Sequence, residues 1–193
     1  MMAKTIYLTR HGQSEYNVSQ RLGGDSDITD HGRKYAYELS KYFDNSSIEV
    51  DIYTSSLRRT IQTAQYFKKT SQIKELNELN TGVYDGYTYK EIETKYPEEY
   101  HKRTLDKYNY CYPGGESYSD INERVKEFID TIIGSHGNTL IICHQAVLRV
   151  LYSYLIDVDK QDIPHLEIPL NTLFKIDIYE NGKMEVKRIH FSI

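Results

Sequence analysis

Apolar and polar positions follow two periods along the chain, and the switches between them mark out the elements. Ile6-Tyr7-Leu8 is a short apolar, β-prone run that stops at Arg10-His11-Gly12. Thr29 and Asp30 supply helix caps ahead of Tyr35, Ala36, Leu39, Tyr42 and Phe43, which recur at helical spacing. Val50 to Thr54 reads as a second strand, with Ser55 and Ser56 as caps for a helix reaching about Lys69. Thr88 and Glu91 form a capping-box pair before a short helix that stops ahead of Pro97. Ser117 opens a longer amphipathic helix with Ile121, Val125, Phe128, Ile129 and Ile132 along one stripe. After Gly137-Asn138, the run from Thr139 to Cys143 is a buried-strand candidate, leading into a helix that carries Val147, Leu148, Leu151 and Leu155. Finally Phe174, Ile176 and Ile178 alternate with Lys175 and Asp177, Asn181-Gly182 supplies a hairpin turn, and Met184 to Phe191 returns.

Strands alternating with helices predict an α/β fold: three α/β/α layers around a mainly parallel sheet, with the final hairpin as an antiparallel edge. No repeat, low-complexity tract or linker interrupts the 193 residues, so a single domain over 1–193 is expected.

Composition narrows the partners. Lys plus Arg number 24 and Asp plus Glu 28, for a formal charge of −4. That balance excludes the clustered basic excess of a general nucleic-acid or anionic-membrane surface, while leaving room for a pocket of a few cations around a small anion. The apolar region from Thr139 to Ile156 is broken by His144, Gln145 and Arg149, which argues against a membrane span. The two cysteines, Cys111 and Cys143, make no disulfide framework and point to a reducing compartment, and the first residues lack the features of a secretory signal. A cytoplasmic location is the expectation.

The chemistry sits where strands end. Arg10 and His11 follow the first strand, Ser55 to Arg59 the second, and His144 the buried strand at 139–143. Open α/β sheets bind ligands outside the carboxyl ends of their strands, so two histidines and at least two arginines converge on one rim. Arginine's planar fork suits phosphate oxygens, and a neutral imidazole beside cations is a candidate nucleophile toward phosphorus. A metal is not expected. Asp25-x-Asp27 begins like a calcium loop, but Thr29 replaces the third ligand and Asp30 stands where the required glycine belongs. His31, His101, His136, His165 and His190 show no ligand spacing.

Leu8-Thr9-Arg10-His11-Gly12-Gln13-Ser14-Glu15, with Asn17, Arg59, Glu78 and His144 spaced behind it, resembles the signature of the histidine phosphatase (phosphoglycerate-mutase-like) superfamily. Further segments, among them Gly23-Gly24-Asp25-Ser26, Arg59 to Ala64, Thr88 to Ile92, Gly115 to Tyr118 and Ile142 to Val147, are similar to the bisphosphatase domains of the 6-phosphofructo-2-kinase/fructose-2,6-bisphosphatases. The similarity runs from Thr5 to the final hairpin, and these residues hold no GxxxxGK[ST] phosphate loop of a kinase half.

The resemblance implies a phosphoglycerate-mutase-like fold and a phosphatase needing no metal or cofactor. It implies that His11 is the nucleophile, that Arg10, Arg59 and His144 surround the transferred phosphoryl, and that Glu78 is the proton donor. It implies that Asn17 is a nearby hydrogen-bonding partner, and Gly23 and Gly24 could bring backbone N–H groups to a phosphate, although a bare Gly-Gly would be only a turn. Tyr89, Arg103, Lys107, Tyr118, Gln145 and Arg149 would hold a sugar and its second phosphate. If their segment is helical, Arg103 and Lys107 share a face. The implied substrate is fructose-2,6-bisphosphate, cleaved at its 2-phosphate. The alternatives are a broad-specificity phosphomonoesterase or a phosphoglycerate mutase of the same superfamily, and a non-catalytic module that binds phosphorylated ligands.

Overall fold

A computed structural model describes all of residues 1–193. Its six-stranded sheet has the order β3-β2-β4-β1-β5-β6. These strands are β1 (Met2–Arg10), β2 (Val50–Thr54), β3 (Ser71–Gln72), β4 (Asn138–Cys143), β5 (Thr172–Tyr179) and β6 (Met184–His190). The first four in sheet order run parallel, while β5 pairs antiparallel with both β1 and β6. The hairpin is therefore the antiparallel edge, as the alternation at 174–178 predicts.

Alternation of side chains across each strand builds the layers. Ile6, Leu8, Ile141, Cys143, Phe174 and Ile176 face one side, where they meet α6 (Tyr118–Gly134) and α7 (Gln145–Ser153). Tyr7, Leu140, Ile142 and Leu173 face the other and meet Tyr35, Leu39 and Phe43 of α2 (Asp30–Ser46). The pairing of Arg10 with Cys143 brings β1 and β4 to the same height, so the residues after each strand emerge side by side.

Caps fix where the helices begin. Thr29 accepts from the Gly32 amide, while Ser14, Thr88 and Ser117 form capping boxes for α1 (Glu15–Val18), α4 (Tyr89–Lys95) and α6. Such caps contribute about 1 kcal/mol each.

Three details differ from the sequence reading. The helix after β2, α3, covers only Arg58–Thr63, and its cap position is Leu57 without a side-chain bond. Ser55 has a different employment, described below. A helix begins at Pro97, α5 (Pro97–Leu105), because proline at its first position needs no amide partner. It stops at Leu105, so Lys107 lies beyond it and the shared helical face with Arg103 does not exist.

Candidate active site

His11 sits immediately after β1, 3 % exposed, its amide bonded to the Cys143 carbonyl at 3.0 Å. Its Nδ1 lies 2.7 Å from the Gly12 carbonyl oxygen. A carbonyl can only accept, so Nδ1 carries the proton and Nε2 keeps the lone pair. Arg59 Nε donates to that Nε2 at 3.2 Å, in agreement with this tautomer. Burial, then Arg59 and Arg10, hold the His11 pKa well below its ordinary value. The result is a neutral imidazole with its lone pair surrounded by cations.

His144 follows β4 and is fully buried, its ring centroid 5.3 Å from that of His11. Burial, Arg59, His11 and Arg10 depress its pKa as well. Its Nε2 is held at 2.7 Å by Ser55 Oγ, the residue read from sequence as a helix cap. Its Nδ1 is buried and has no protein partner.

Arg59 is 4 % exposed and also donates through Nη1 to the Gly24 carbonyl at 2.8 Å. Arg10 donates through Nη1 to the Ile168 carbonyl at 3.0 Å, leaving its Nε buried and unpaired. Burial brings its pKa down to about 10, with Glu78 opposing and Arg149 and Arg59 adding to the effect. An orphaned guanidinium donor and an orphaned imidazole nitrogen beside a neutral imidazole make a cradle with spare capacity for anionic oxygens.

These groups open into a cleft enclosing about 680 Å³, mouth included. Arg10, His11, Asn17, Gly23, Arg59, Glu78, Tyr89, Arg103, Tyr118, Gln145 and Arg149 all line it. Tyr118 accepts from Arg149 at 2.9 Å, and Tyr89 accepts from Arg103 at 2.9 Å beneath its guanidinium. Gln145 and Arg149 stand one turn apart on α7.

Three residues of the implied set, His144, Gly24 and Lys107, stand back from this cleft's lining. Gly24 turns its amide to Asp85 Oδ1 at 2.8 Å, so that N–H is already committed. A side chain at Gly23, in the left-handed region at φ 68°, would collide with the same carboxylate at 1.9 Å. Lys107 donates to the Pro164 carbonyl at 2.8 Å, and burial with Arg103 and Arg149 nearby lowers its pKa to about 8.

Several contributors escape a reading of motifs. Ser14, Tyr16, Arg21 and Thr81 also line the cleft. The loop carrying Glu78 is clamped on both flanks. Arg124 donates to the carbonyls of Glu75 and Asn77 while pairing with Glu116 at 2.8 Å, and Glu116 accepts from the Asn80 amide at 2.9 Å. The one visible signal is the Gly115-Glu116-Ser117 run ahead of a helix that carries Arg124. Asp25 accepts from the Arg58 amide and Asp27 from the Arg58 guanidinium.

Comparison with known proteins shows the family and the fold. The family model for the histidine phosphatase superfamily (branch 1) matches residues 6–191. The chain is 46% identical over 177 residues to a fructose-2,6-bisphosphatase of Saccharomyces cerevisiae, covering 90% of this chain and 39% of that protein. It is 45% identical over 175 residues to the rat 6-phosphofructo-2-kinase/fructose-2,6-bisphosphatase 3, covering 90% of this chain and 31% of the relative. The chain thus spans between about three tenths and two fifths of these relatives' length. Among solved structures, Bacillus stearothermophilus YhfR superimposes with a TM-score of 0.82 at 29% identity, covering 95% of each chain. An Escherichia coli structure described as a putative alpha-ribazole-5'-P phosphatase gives 0.85 at 23% identity, covering 98% of this chain and 97% of that one, a likeness of fold.

Proposed function

The chain belongs to the histidine phosphatase superfamily, branch 1, and from that premise we propose that it hydrolyses the 2-phosphate of fructose-2,6-bisphosphate through a phosphohistidine at His11. His11 Nε2 attacks phosphorus as the bond to the sugar oxygen breaks, and Glu78 gives that oxygen its proton. Glu78 then takes a proton from water, whose oxygen attacks the phosphohistidine, releasing phosphate and restoring the imidazole. Arg10, Arg59, His144 and Asn17 meet the charge that gathers on the equatorial oxygens, and losing one such donor costs about 10² to 10³ in rate. No metal takes part in this scheme, because the guanidinium groups supply the positive charge.

The observation that carries the substrate reading is the second cationic group. Arg103 and Arg149 line the cleft, and Lys107 lies behind them, its pKa lowered first by burial and then by these two cations. A simple phosphomonoester needs no such group. The 46% identical relative named fructose-2,6-bisphosphatase supports the same substrate. Two free thiols, one exposed and one buried, support a reducing, cytoplasmic setting.

Turnover of fructose-2,6-bisphosphate measured against simple phosphomonoesters and phosphoglycerates tests the reading. A marked preference for the bisphosphate is expected, and a flat profile or mutase turnover would overturn it. His11→Ala is expected to abolish hydrolysis, and the wild type to trap an acid-labile, base-stable phosphoenzyme in rapid quench. Retained turnover in the variant would show that the nucleophile lies elsewhere.

A further inference from the structure

Two cations of the cleft and a third behind it come from three distant parts of the chain: Arg10 ends β1, Arg149 stands on α7, and Lys107 follows α5. All three donate backward into one short segment. Lys107 Nζ reaches the Pro164 carbonyl at 2.8 Å, Arg149 Nε the Leu166 carbonyl at 2.8 Å, and Arg10 Nη1 the Ile168 carbonyl at 3.0 Å. The acceptors are every second carbonyl of five residues. Each cation spends one donor here and keeps others for the cleft.

The segment is built to stay in place. Its sequence repeats Ile-Pro five residues apart, Ile163-Pro164 and Ile168-Pro169. Ile163 and Ile168 are buried in the main core, and Leu166 packs against it. Each proline fixes its own φ and restricts the residue before it, so both ends have little freedom. His165 and Glu167 point outward and are exposed. Apolar side chains therefore grip the core, while the carbonyls between them grip the cations.

We infer that residues 164–168 act as a spacing strap, which holds Arg10 at the transferred phosphoryl and Arg149 with Lys107 at the second anion in one fixed separation. The strap selects ligands by the distance between their two phosphates. No residue of the strap lines the cleft, so it is a positioning and specificity-determining element rather than a catalytic one. The inference rests on the bisphosphate reading for its ligand.

The test uses the full chain with Pro164→Gly/Pro169→Gly, which loosens the strap, and separately one glycine inserted between Leu166 and Glu167, which breaks the alternation. Glu167→Ala is the control, since Glu167 makes only a 3.8 Å pair with Arg188. Hydrolysis of an aryl phosphate supplies kcat, and inhibition of that reaction supplies binding constants for fructose-2,6-bisphosphate and for inorganic phosphate. Loosening is expected to weaken bisphosphate inhibition roughly tenfold or more, on the scale that misplacing a binding group produces. Phosphate inhibition and aryl phosphate kcat, which depend on the Arg10 contact alone, should fall severalfold less than bisphosphate inhibition, and the control should stay near wild type. An unchanged ratio of the two inhibition constants in the proline variant would overturn the strap, as would an equal loss for phosphate. The proline variant decides alone if the insertion fails to fold. Tight bisphosphate inhibition with flat wild-type turnover would instead overturn the substrate reading and leave the strap standing.

Discussion

At His11 and His144, burial and the neighbouring guanidinium groups push in one direction, holding both imidazoles neutral well below their ordinary pKa of 6.5. Unfolding would restore that value, so the unfolded chain binds protons that the folded chain refuses. Stability contributed by these groups is complete above pH 6.5 and is lost as pH falls below it, by up to about 1.4 kcal/mol per pH unit for each group. The melting midpoint is expected to drop on acidification below that point, and His11→Gln to flatten the slope; parallel slopes would contradict the assignment. Ser55 belongs to the same scale. Ser55→Ala leaves the fully buried His144 Nε2 without its partner, at a cost of about 1 to 3 kcal/mol. An accompanying fall in kcat of about tenfold or more is expected from the freed ring, measured on an aryl phosphate; unchanged kcat would mean that Ser55 only supports the fold. Arg10, His11, Arg59 and His144 were legible in the sequence because each follows a strand end and carries distinctive chemistry. Ser55 was misread because a serine after a strand is an ordinary cap, and only the parallel neighbour β4 brings a histidine to it.

Among the elements, those with a strong period were legible: β1, β2, β4, β5, α2, α6 and α7 all lie where apolar spacing puts them. Misses occur where tertiary contact outweighs local pattern. The two residues of β3 are exposed and become a strand only by pairing with β2, and α3 ends at Thr63 although apolar Tyr66 and Phe67 continue its spacing. The strap was invisible for a different reason: its work is done by carbonyls, which every residue possesses. Glycines separate what the turn beside His11 needs from what it tolerates. A Cβ on Gly12 would stand 2.5 Å from the Gly32 carbonyl oxygen at the start of α2, and backbone cannot move aside as a side chain can. Gly12→Ala is expected to cost about 1 to 3 kcal/mol and to impair turnover, since the Gly12 carbonyl orients His11. Gly134, the last residue of α6, has nothing within 4 Å of that position and no positive φ. Gly134→Ala is expected to stabilise by about 0.4 to 1 kcal/mol. Urea unfolding midpoints moving in opposite directions would confirm the contrast; a neutral Gly12→Ala would refute the steric argument.

Across the whole molecule, a formal charge of −4 coexists with a cleft lined by Arg10, Arg21, Arg59, Arg103 and Arg149. The average hides a segregation: acids dominate the exterior, and the fold crowds cations at one rim. Crowding has a consequence at Lys107, whose pKa falls to about 8 through burial and then through Arg103 and Arg149. Lysine is charged below its pKa, so the second anion meets a full complement of cations below pH 8 and one fewer above it. KM for fructose-2,6-bisphosphate is therefore expected to rise as pH increases through about 8, while KM for an aryl phosphate, which occupies only the His11 cradle, does not follow. Lys107→Arg supplies a side chain that stays charged throughout this range and should abolish the alkaline rise. An identical rise for both substrates would place the titrating group in the His11 cradle. A rise that persists in Lys107→Arg would assign it to some other residue and remove Lys107 from the second anion site.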